Sequence, residues 1–367
     1  MAVALIQASL MSEAPEPPPP DTVSLERMID GLFVAYDTDD EPGYAIGVVS
    51  GGDLVFAEGY GVADTASQTP IRSNTAFNIA SLSKQFTAAA IAREILAGEI
   101  ALDDKLASHW DGLPDAFAQI EIGHLVYMTS GLPEYYSLAS PKGGWASQDR
   151  FTVEDAIATV FDENRLEYQP GSHWTYSNIN YQLLAELTAR KNSRPFAQHM
   201  QQSFFAPIGL ENTWVDAPID MERATRATSY VWDDEAGDWI EAPRLSPHYG
   251  GSGMFSTLED LAKWDVALHR DKTFGSGFSD QMLATKQYAH DKTNDAFGLV
   301  LGSYRGLKTI WYEGGDYGAS AYMVRLPERD QTIICLSNIG NGGCYQKAQS
   351  VIDVLLTYDQ DADFRAD

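Results

Sequence analysis

The sequence predicts an α/β (α+β) fold in which one antiparallel sheet, flanked by terminal helices, carries a large all-helical insertion. Strand patterns lie near both ends of the chain, at residues 44–60 and 307–336, whereas residues 75–225 read as helical segments separated by loops rich in Gly, Pro, Ser and Asn. Strands from the two ends most simply pair in a single sheet. The 367 residues and 44% hydrophobic content suffice for a sizeable core.

The N-terminal elements are a helix and a hairpin. Residues 22–37 place apolar side chains at helical spacing, which predicts an amphipathic helix. Residues 44–49 and 54–60 are rich in β-forming residues and are joined by Ser-Gly-Gly-Asp at 50–53. This composition is typical of a tight turn between two antiparallel strands.

The C-terminal elements complete the predicted sheet. Strand patterns at 307–312, 319–326 and 331–336 precede a helical pattern at 346–358. The predicted division is a sheet region of residues 22–74 and 290–360, a mainly helical region of residues 75–289, and a catalytic cleft between the two.

The first 21 residues differ in composition from the rest. Residues 1–11 are apolar without a preceding basic residue, and residues 13–20 are rich in proline. This pattern predicts a disordered tail or the remnant of an export signal. It favours the periplasm or secretion over the cytoplasm but leaves the compartment open.

The charge of the chain excludes two classes of partner. The net charge is −27, from 52 acidic and 25 basic residues. Nucleic acids and anionic lipids are bound by basic patches, so we expect no nucleic-acid partner. No apolar run is long enough to cross a bilayer, and we expect no membrane insertion.

The two cysteines and the seven histidines of the sequence do not indicate a metal site. Cys335 lies in an apolar strand pattern, which favours a small core residue, with a disulfide to Cys344 as the alternative. The seven histidines lack the paired spacing of a zinc site. We therefore expect neither a metal nor an organic cofactor.

The strongest chemical motif is Ser81-Leu82-Ser83-Lys84, which lies where a short apolar segment meets an Ala-rich helical pattern. Residues three apart share a helix face, so Lys84 can reach the hydroxyl of Ser81. The free N–H groups of a helix start can stabilise a developing anion. This arrangement is typical of an activated serine nucleophile; the alternative is a solvated lysine and a serine that caps an ordinary helix.

A second motif, Tyr176-Ser177-Asn178, follows a turn and precedes another helical pattern. A phenolate at Tyr176, stabilised by an ammonium, can accept the serine proton and return it to the leaving group. The amide of Asn178 can hold a substrate amide or carbonyl. In the alternative interpretation Tyr176 packs in the core and Asn178 caps the next helix.

The chain resembles the serine β-lactamase and penicillin-binding protein-like superfamily, which includes class C β-lactamases, D-aminopeptidases and related esterases. The matching stretches are FNIASLSKQFTAAAI, LDDKL, MTSGLPEY, PGSHWTYSNINYQLL, APIGLENTW, GGSGMFSTLEDLAKW and GGDYGASAYMVRLPE. The resemblance implies that Ser81 is the acyl-accepting nucleophile, that Lys84 and Tyr176 share proton handling, and that Asn178 contacts the substrate. It also implies an oxyanion hole made by the Ser81 N–H and an N–H of the strand carrying a third motif.

The third motif departs from the family pattern. Members of the superfamily carry Lys-Thr-Gly or His-x-Gly there, whereas this chain has Tyr312-Glu313-Gly314 or, shifted by one residue, Glu313-Gly314-Gly315. In either register the cation that receives a substrate carboxylate is missing. We expect Tyr312, Glu313, Gly314 and Gly315 to lie at the substrate, and the site to disfavour β-lactams.

The resulting interpretation is a serine hydrolase that cleaves an ester or amide through an acyl-enzyme on Ser81. Its substrates would be small esters, amides or short D-peptides. The alternatives are a D-aminopeptidase or D,D-peptidase, a weak β-lactamase, and, outside catalysis, a penicillin-binding receptor or an inactive scaffold. The sequence leaves the oligomeric state open.

Overall fold

The computed structural model describes residues 24–139, 152–216, 226–242, 248–270, 273–288 and 294–365. The predicted tail at residues 1–21 lies outside these ranges. The fold is built on a six-stranded antiparallel sheet with strand order β10-β11-β12-β13-β1-β2. Its strands are β1 (Tyr44–Ser50), β2 (Asp53–Tyr60), β10 (Val300–Tyr304), β11 (Leu307–Asp316), β12 (Ala319–Leu326) and β13 (Gln331–Ser337).

Strands from the two ends of the chain pair as the sequence predicts. β1 lies between β2 and β13, with Ile46 opposite Glu58 on one side and Cys335 on the other. The turn between β1 and β2 places Gly51 and Gly52 at φ values of 64° and 94°. A two-residue turn with positive φ at both positions matches the twist of the strands, which explains the two glycines.

Alternating side chains divide the core into two clusters, one on each face of the sheet. One face packs against the terminal helices α1 (Leu25–Asp30) and α10 (Cys344–Arg365). The predicted N-terminal helix is too long, because Gly31 ends α1 and the chain continues as a 3-10 turn at Val34–Tyr36. Glycine is a poor helix former, which explains why the helix ends at this point although the apolar spacing continues beyond it.

The other face packs against the middle of the chain, which is mainly but not entirely helical. Three short strands there form a separate small sheet, and two more form a hairpin, so the predicted all-helical insertion is wrong in this detail. These strands have two to four residues, too few to show a period of two. They are β5 (Phe77–Asn78), β6 (Trp214–Val215), β7 (Tyr230–Asp233), β8 (Asp238–Glu241) and β9 (Met254–Ser256); β3 (Val62–Asp64) and β4 (Thr69–Pro70) form a further pair.

The helices of the middle region surround one buried helix. α2 (Lys84–Leu96) is buried on nearly every side by the larger core cluster. Its many alanines allow neighbouring elements to approach closely. The other helices are α3 (Ile122–Val126), α4 (Tyr135–Ala139), α5 (Val153–Glu163), α6 (Asn178–Lys191), α7 (Phe196–Met200), α8 (Leu258–His269) and α9 (Phe278–Met282).

The mixed architecture with an antiparallel sheet confirms the predicted fold class. The division into two regions with the stated boundaries stays a prediction. No helix in the described part of the chain combines the length and the apolar composition that crossing a membrane requires.

Candidate active site

Ser81 lies in a tight 3-10 turn, Ala80–Ser83, immediately before α2. Ala80 has a φ of 45°, in the left-handed region that residues with a Cβ adopt at a cost in strain. The side chain of Asn78 supports this backbone by accepting a hydrogen bond of 2.9 Å from the Ala80 N–H. The turn therefore holds the Ser81 side chain and the free N–H groups of its first residues at the start of α2.

Strand β11 passes directly over this turn at Gly314. A Cβ at Gly314 would lie 2.2 Å from the carbonyl oxygen of Ile79, so only glycine allows the strand to approach so closely. The end of the strand is tied to the same turn, because the Asn78 amide donates a hydrogen bond of 3.2 Å to Asp316. In the described part of the chain, β10 pairs with β11 as far as Trp311. Beyond Trp311 β11 stays paired with β12 on its other side, and Gly314 brings it against the turn.

Lys84 is the polar centre of the site. Its side chain is fully buried, and its Nζ lies 3.1 Å from Ser81 Oγ and 2.6 Å from the Tyr176 hydroxyl. The same nitrogen lies 2.7 Å from Asn178 Oδ1 and 2.5 Å from the carbonyl oxygen of Gly251. Four oxygens thus surround a group that has at most three hydrogens to donate.

Two of these oxygens can only accept, which fixes the orientation of the amine. The oxygens of Asn178 and Gly251 each accept an N–H from Lys84, and Asn178 Oδ1 also accepts a longer bond of 3.3 Å from the Tyr176 hydroxyl. In the neutral amine the lone pair is then left to face the hydroxyls of Ser81 and Tyr176. Burial lowers the pKa of Lys84 to about 7, even though the carboxylates of Glu134 and Asp316 raise it in part. Burial therefore shifts the equilibrium of Lys84 from the ammonium toward the free base.

Tyr176 completes a triangle with Ser81 and Lys84. Its hydroxyl lies 2.6 Å from Ser81 Oγ, and the residue stands in the extended segment that leads into α6, with its side chain 40% exposed. Burial of the hydroxyl raises the pKa of Tyr176 to about 12, although the hydrogen bond with Ser81 acts in the opposite direction. Burial thus disfavours a phenolate at Tyr176 and favours the neutral amine at Lys84, while the expectation of a phenolate base at Tyr176 stays a prediction.

The sequence motifs missed Glu134, which fixes the start of α6. One of its carboxylate oxygens accepts hydrogen bonds of 2.6 Å from the Asn178 N–H and 2.8 Å from the Ser177 hydroxyl. A carboxylate at a helix N-terminus also interacts favourably with the helix dipole. Glu134 therefore orients Asn178 through a hydrogen bond, and its negative charge raises the pKa of Lys84. The only signal for it was its place in the quoted stretch MTSGLPEY.

If Lys84 acts as a general base at this site, replacing Glu134 with glutamine should move the pH dependence of catalysis. Glutamine keeps an acceptor for Asn178 but removes a charge that stabilises the Lys84 ammonium, so the pKa of Lys84 falls. A base acts when deprotonated, so wild-type kcat/KM should rise with pH through about 7. In the Glu134→Gln variant we expect this limb to move down by ~0.5–1 pH unit. A pH–rate profile measures the shift; Glu58→Gln, an exposed residue of β2, is the control, and a limb that moves upward would contradict the assignment.

The third motif presents Tyr312, not Glu313, to the interior. Tyr312 packs on the core cluster that contains α2, on the same face as Gly314. Glu313 stands opposite Tyr322 on β12, whose ring belongs to the cluster on the other face of the sheet. Opposed residues of an antiparallel pair share a face, so Glu313 lies on the face away from α2, and its contact with a substrate stays a prediction. Burial raises the pKa of Tyr312 well above its usual value, which leaves a neutral phenol near Tyr176.

A cavity of about 930 Å³ adjoins the end of β11. Gly315 and Asp316 line it on one side and the β7–β8 hairpin on the other. A Cβ at Gly315 would meet no atom within 4 Å, so the backbone is open to a ligand here. The hairpin contributes three carboxylates, at Asp233, Asp234 and Glu235, and the cavity contains no lysine or arginine among its described lining residues.

A family model and individual known proteins both match this chain in sequence. The Beta-lactamase family model matches residues 29–354. Penicillin-binding protein 4* of Bacillus subtilis (strain 168) is 28% identical over 312 residues, covering 81% of this chain and 68% of the relative. A D-aminopeptidase of Brucella anthropi is 24% identical over 342 residues, covering 92% of this chain and 63% of the relative. The chain thus spans less than two thirds of the length of that D-aminopeptidase.

Solved structures share the fold at lower sequence identity. An octameric penicillin-binding protein homologue from Pyrococcus abyssi superposes with a TM-score of 0.78 at 23% identity, covering 91% of this chain and 77% of the other. D-amino acid amidase from Ochrobactrum anthropi SV3, complexed with D-phenylalanine, gives a TM-score of 0.77 at 22% identity, with coverage of 91% and 99%. These similarities extend over nearly the whole described architecture.

Proposed function

Because this chain belongs to the beta-lactamase family, we propose that it is a serine hydrolase that cleaves an ester or amide through an acyl-enzyme on Ser81. The observation that carries this proposal is the triangle of Ser81, Lys84 and Tyr176. Its three sides measure 3.1, 2.6 and 2.6 Å between the reactive atoms. A nucleophile within hydrogen-bond reach of a base, with the base oriented by further groups, is the general requirement for covalent catalysis.

In the proposed mechanism, the neutral amine of Lys84 accepts the proton of Ser81 as Oγ attacks the substrate carbonyl. The oxyanion is held by the Ser81 N–H and by an N–H of the open edge of β11 near Gly315. Tyr176 then donates its proton to the leaving alcohol or amine and recovers one from the Lys84 ammonium. Water attacks the acyl-enzyme by the reverse proton path and releases the acid.

The charges around the site support substrates without a carboxylate near the reacting carbonyl. Neither register of the third motif supplies a cation, and in the register that aligns Tyr312 with the family's cation, burial opposes the ionisation of its phenol. Asp316 and the carboxylates of the adjoining cavity repel an anionic substrate and attract an ammonium. An amino-acid amide, ester or short peptide with a free amino group fits these charges. The similarity to D-aminopeptidases and D-amino acid amidase supports the same substrate class.

Replacing Asp316 with asparagine should weaken the preference for cationic substrates. Asparagine keeps a carbonyl oxygen that can accept the bond from the Asn78 amide but removes the charge. We expect the ratio of kcat/KM for D-alanine p-nitroanilide over its N-acetyl derivative to fall by ~3–10-fold, as for a partly solvated ion pair. The ratio compares two substrates on one enzyme. A change in the pKa of Lys84 affects kcat/KM for both substrates equally, so its effect cancels in the ratio. Asp111→Asn, a remote exposed substitution, is the control, and an unchanged ratio in Asp316→Asn would count against an ammonium subsite.

The proposed chemistry is tested by intact-mass spectrometry together with turnover assays. The substrates are p-nitrophenyl butyrate, D-alanine p-nitroanilide and nitrocefin, and the expected result is turnover of the first two with a transient acyl adduct that maps to Ser81. A stable adduct without turnover would instead identify a receptor that is acylated once. Rapid hydrolysis of nitrocefin alone would favour a β-lactamase. No adduct and no turnover across the panel would favour an inactive scaffold.

A further inference from the structure

The two cysteines of the chain meet in the core, away from the candidate active site. Cys335 lies on β13 and Cys344 is the first residue of α10, and both side chains are fully buried. Their sulfur atoms are 2.8 Å apart. A disulfide bond requires about 2.05 Å, so an approach of roughly 0.8 Å would close it. We propose that Cys335 and Cys344 form a disulfide that ties the start of α10 to the central sheet.

The surroundings of the two sulfurs favour a bond to each other. Cys344 Sγ has one further polar contact, at 3.4 Å to the carbonyl oxygen of Ser320, and the Ser320 hydroxyl accepts a bond of 3.2 Å from the Cys344 N–H. Cys335 is flanked in the sheet by Ile46 and Tyr322, which belong to the same apolar cluster. Strand pairing holds the backbone of Cys335, and the bond to the Ser320 hydroxyl holds that of Cys344. In the described part of the chain, the sulfur of Cys335 lies closer to that of Cys344 than the Ser320 carbonyl oxygen does.

The bond would form during folding. Burial raises the pKa of Cys335 well above its usual value, so the folded chain holds almost no reactive thiolate at this position. With glutathione disulfide as the oxidant, one cysteine thiolate attacks it and releases glutathione, and the second cysteine then displaces a second glutathione. The two protein thiols lose two protons and two electrons in total, and the oxidant is reduced to two molecules of glutathione.

The bond would brace one wall of the cavity beside the candidate active site. The loop between the two cysteines exchanges two hydrogen bonds of 2.8 Å with Tyr230, through the carbonyl of Asn338 and the N–H of Gly340. Gly340 and Asn341 also line the cavity that adjoins Asp316. Closing this short loop fixes both of its ends, at the sheet and at α10. The proposal is independent of the hydrolase chemistry, since neither cysteine contacts the Ser81 turn.

Thiol labelling under denaturing conditions tests the proposal directly. The full chain is refolded with a mixture of reduced and oxidised glutathione and then unfolded in guanidinium with N-ethylmaleimide. Its mass is measured by intact-mass spectrometry. We expect no maleimide adducts and a mass about 2 Da below that of the reduced chain, as disulfide formation removes two hydrogens. Prior reduction should restore two adducts. Two adducts without reduction, or a mixed disulfide with glutathione, would overturn the proposal.

Thermal unfolding gives a second, independent measurement. The oxidised chain should unfold ~3–5 °C above the chain refolded with a reductant, because the cross-link restricts the unfolded state. The matched variant Cys344→Ala should show the same melting temperature after both treatments and one adduct in each. Equal melting temperatures in the wild type, with both thiols labelled, would show that the pair is a reduced core contact.

Discussion

Replacing Ser81 with alanine is expected to lower kcat/KM for p-nitrophenyl butyrate and D-alanine p-nitroanilide by ~10⁴–10⁶-fold, because the acyl-enzyme can no longer form. The oxyanion donors and the base remain in place, so the residual rate reflects binding and water attack alone. Removing one hydroxyl from a half-buried position should leave the fold intact. Steady-state kinetics measure the loss, and intact-mass spectrometry should show no acyl adduct.

The control for this variant is Ser172→Ala. Ser172 lies on the turn that precedes Tyr176, and its hydroxyl donates to the backbone carbonyl of Gln169, not to any group of the Ser81 triangle. We expect its kinetics to stay within about twofold of the wild type, as for most surface substitutions. Equal activity of Ser81→Ala and the wild type, with an adduct on another residue, would refute the proposed nucleophile.

Replacing Lys84 with methionine is expected to lower kcat by ~10²–10⁴-fold, the usual contribution of a general base. Methionine fills a similar volume and is better suited to a fully buried position than an amine. It removes the Lys84 donor to the oxygens of Asn178 and Gly251, but it also removes a group whose ionisation is opposed by burial. We therefore expect a folded protein whose loss is in catalysis, which thermal unfolding checks.

The pH profile separates the roles of Lys84 and Tyr176. If Lys84 is the base, the limb near pH 7 should vanish in Lys84→Met and persist in Tyr176→Phe, whose rate falls through loss of proton delivery. Lys191→Met, which removes a lysine at the far end of α6, should keep the wild-type profile. A limb near 7 that survives in Lys84→Met and disappears in Tyr176→Phe would assign the base to the tyrosine instead.

Much of the sheet could be predicted because its signals are local. The glycine pair at 51–52 fixes a two-residue turn and thereby the pairing of β1 with β2. Clusters of apolar and β-forming residues marked β12 and β13, which have eight and seven residues. The short strands of the middle region could not be found in this way, because Phe77–Asn78 and Trp214–Val215 are strands only through their shared partner β9. Their pairing is a property of the packed chain, not of their own residues.

The candidate site shows the same division. Ser81 and Lys84 are three residues apart, so helix geometry alone predicts that they can meet. Glu134, by contrast, is 44 residues from the backbone N–H that it binds, and no spacing rule connects the two. The sheet face on which Glu313 lies could be assigned only from the register of β11 with β12. The direction in which burial moves the pKa of Tyr176 could likewise not be predicted from the tripeptide, because burial depends on the packed chain.

The sequence by itself determined the fold class, the family resemblance and the side chains that can supply a nucleophile, an amine and a phenol. Only the tertiary structure decided their ionisation. The pKa of Lys84 depends on how completely the side chain is buried and on carboxylates at residues 134 and 316, which come from segments far apart in the chain. Hydrogen-bonding capacity belongs to a residue type and is visible in the sequence. The free energy of holding a charge belongs to the surroundings, and folding alone brings those surroundings together.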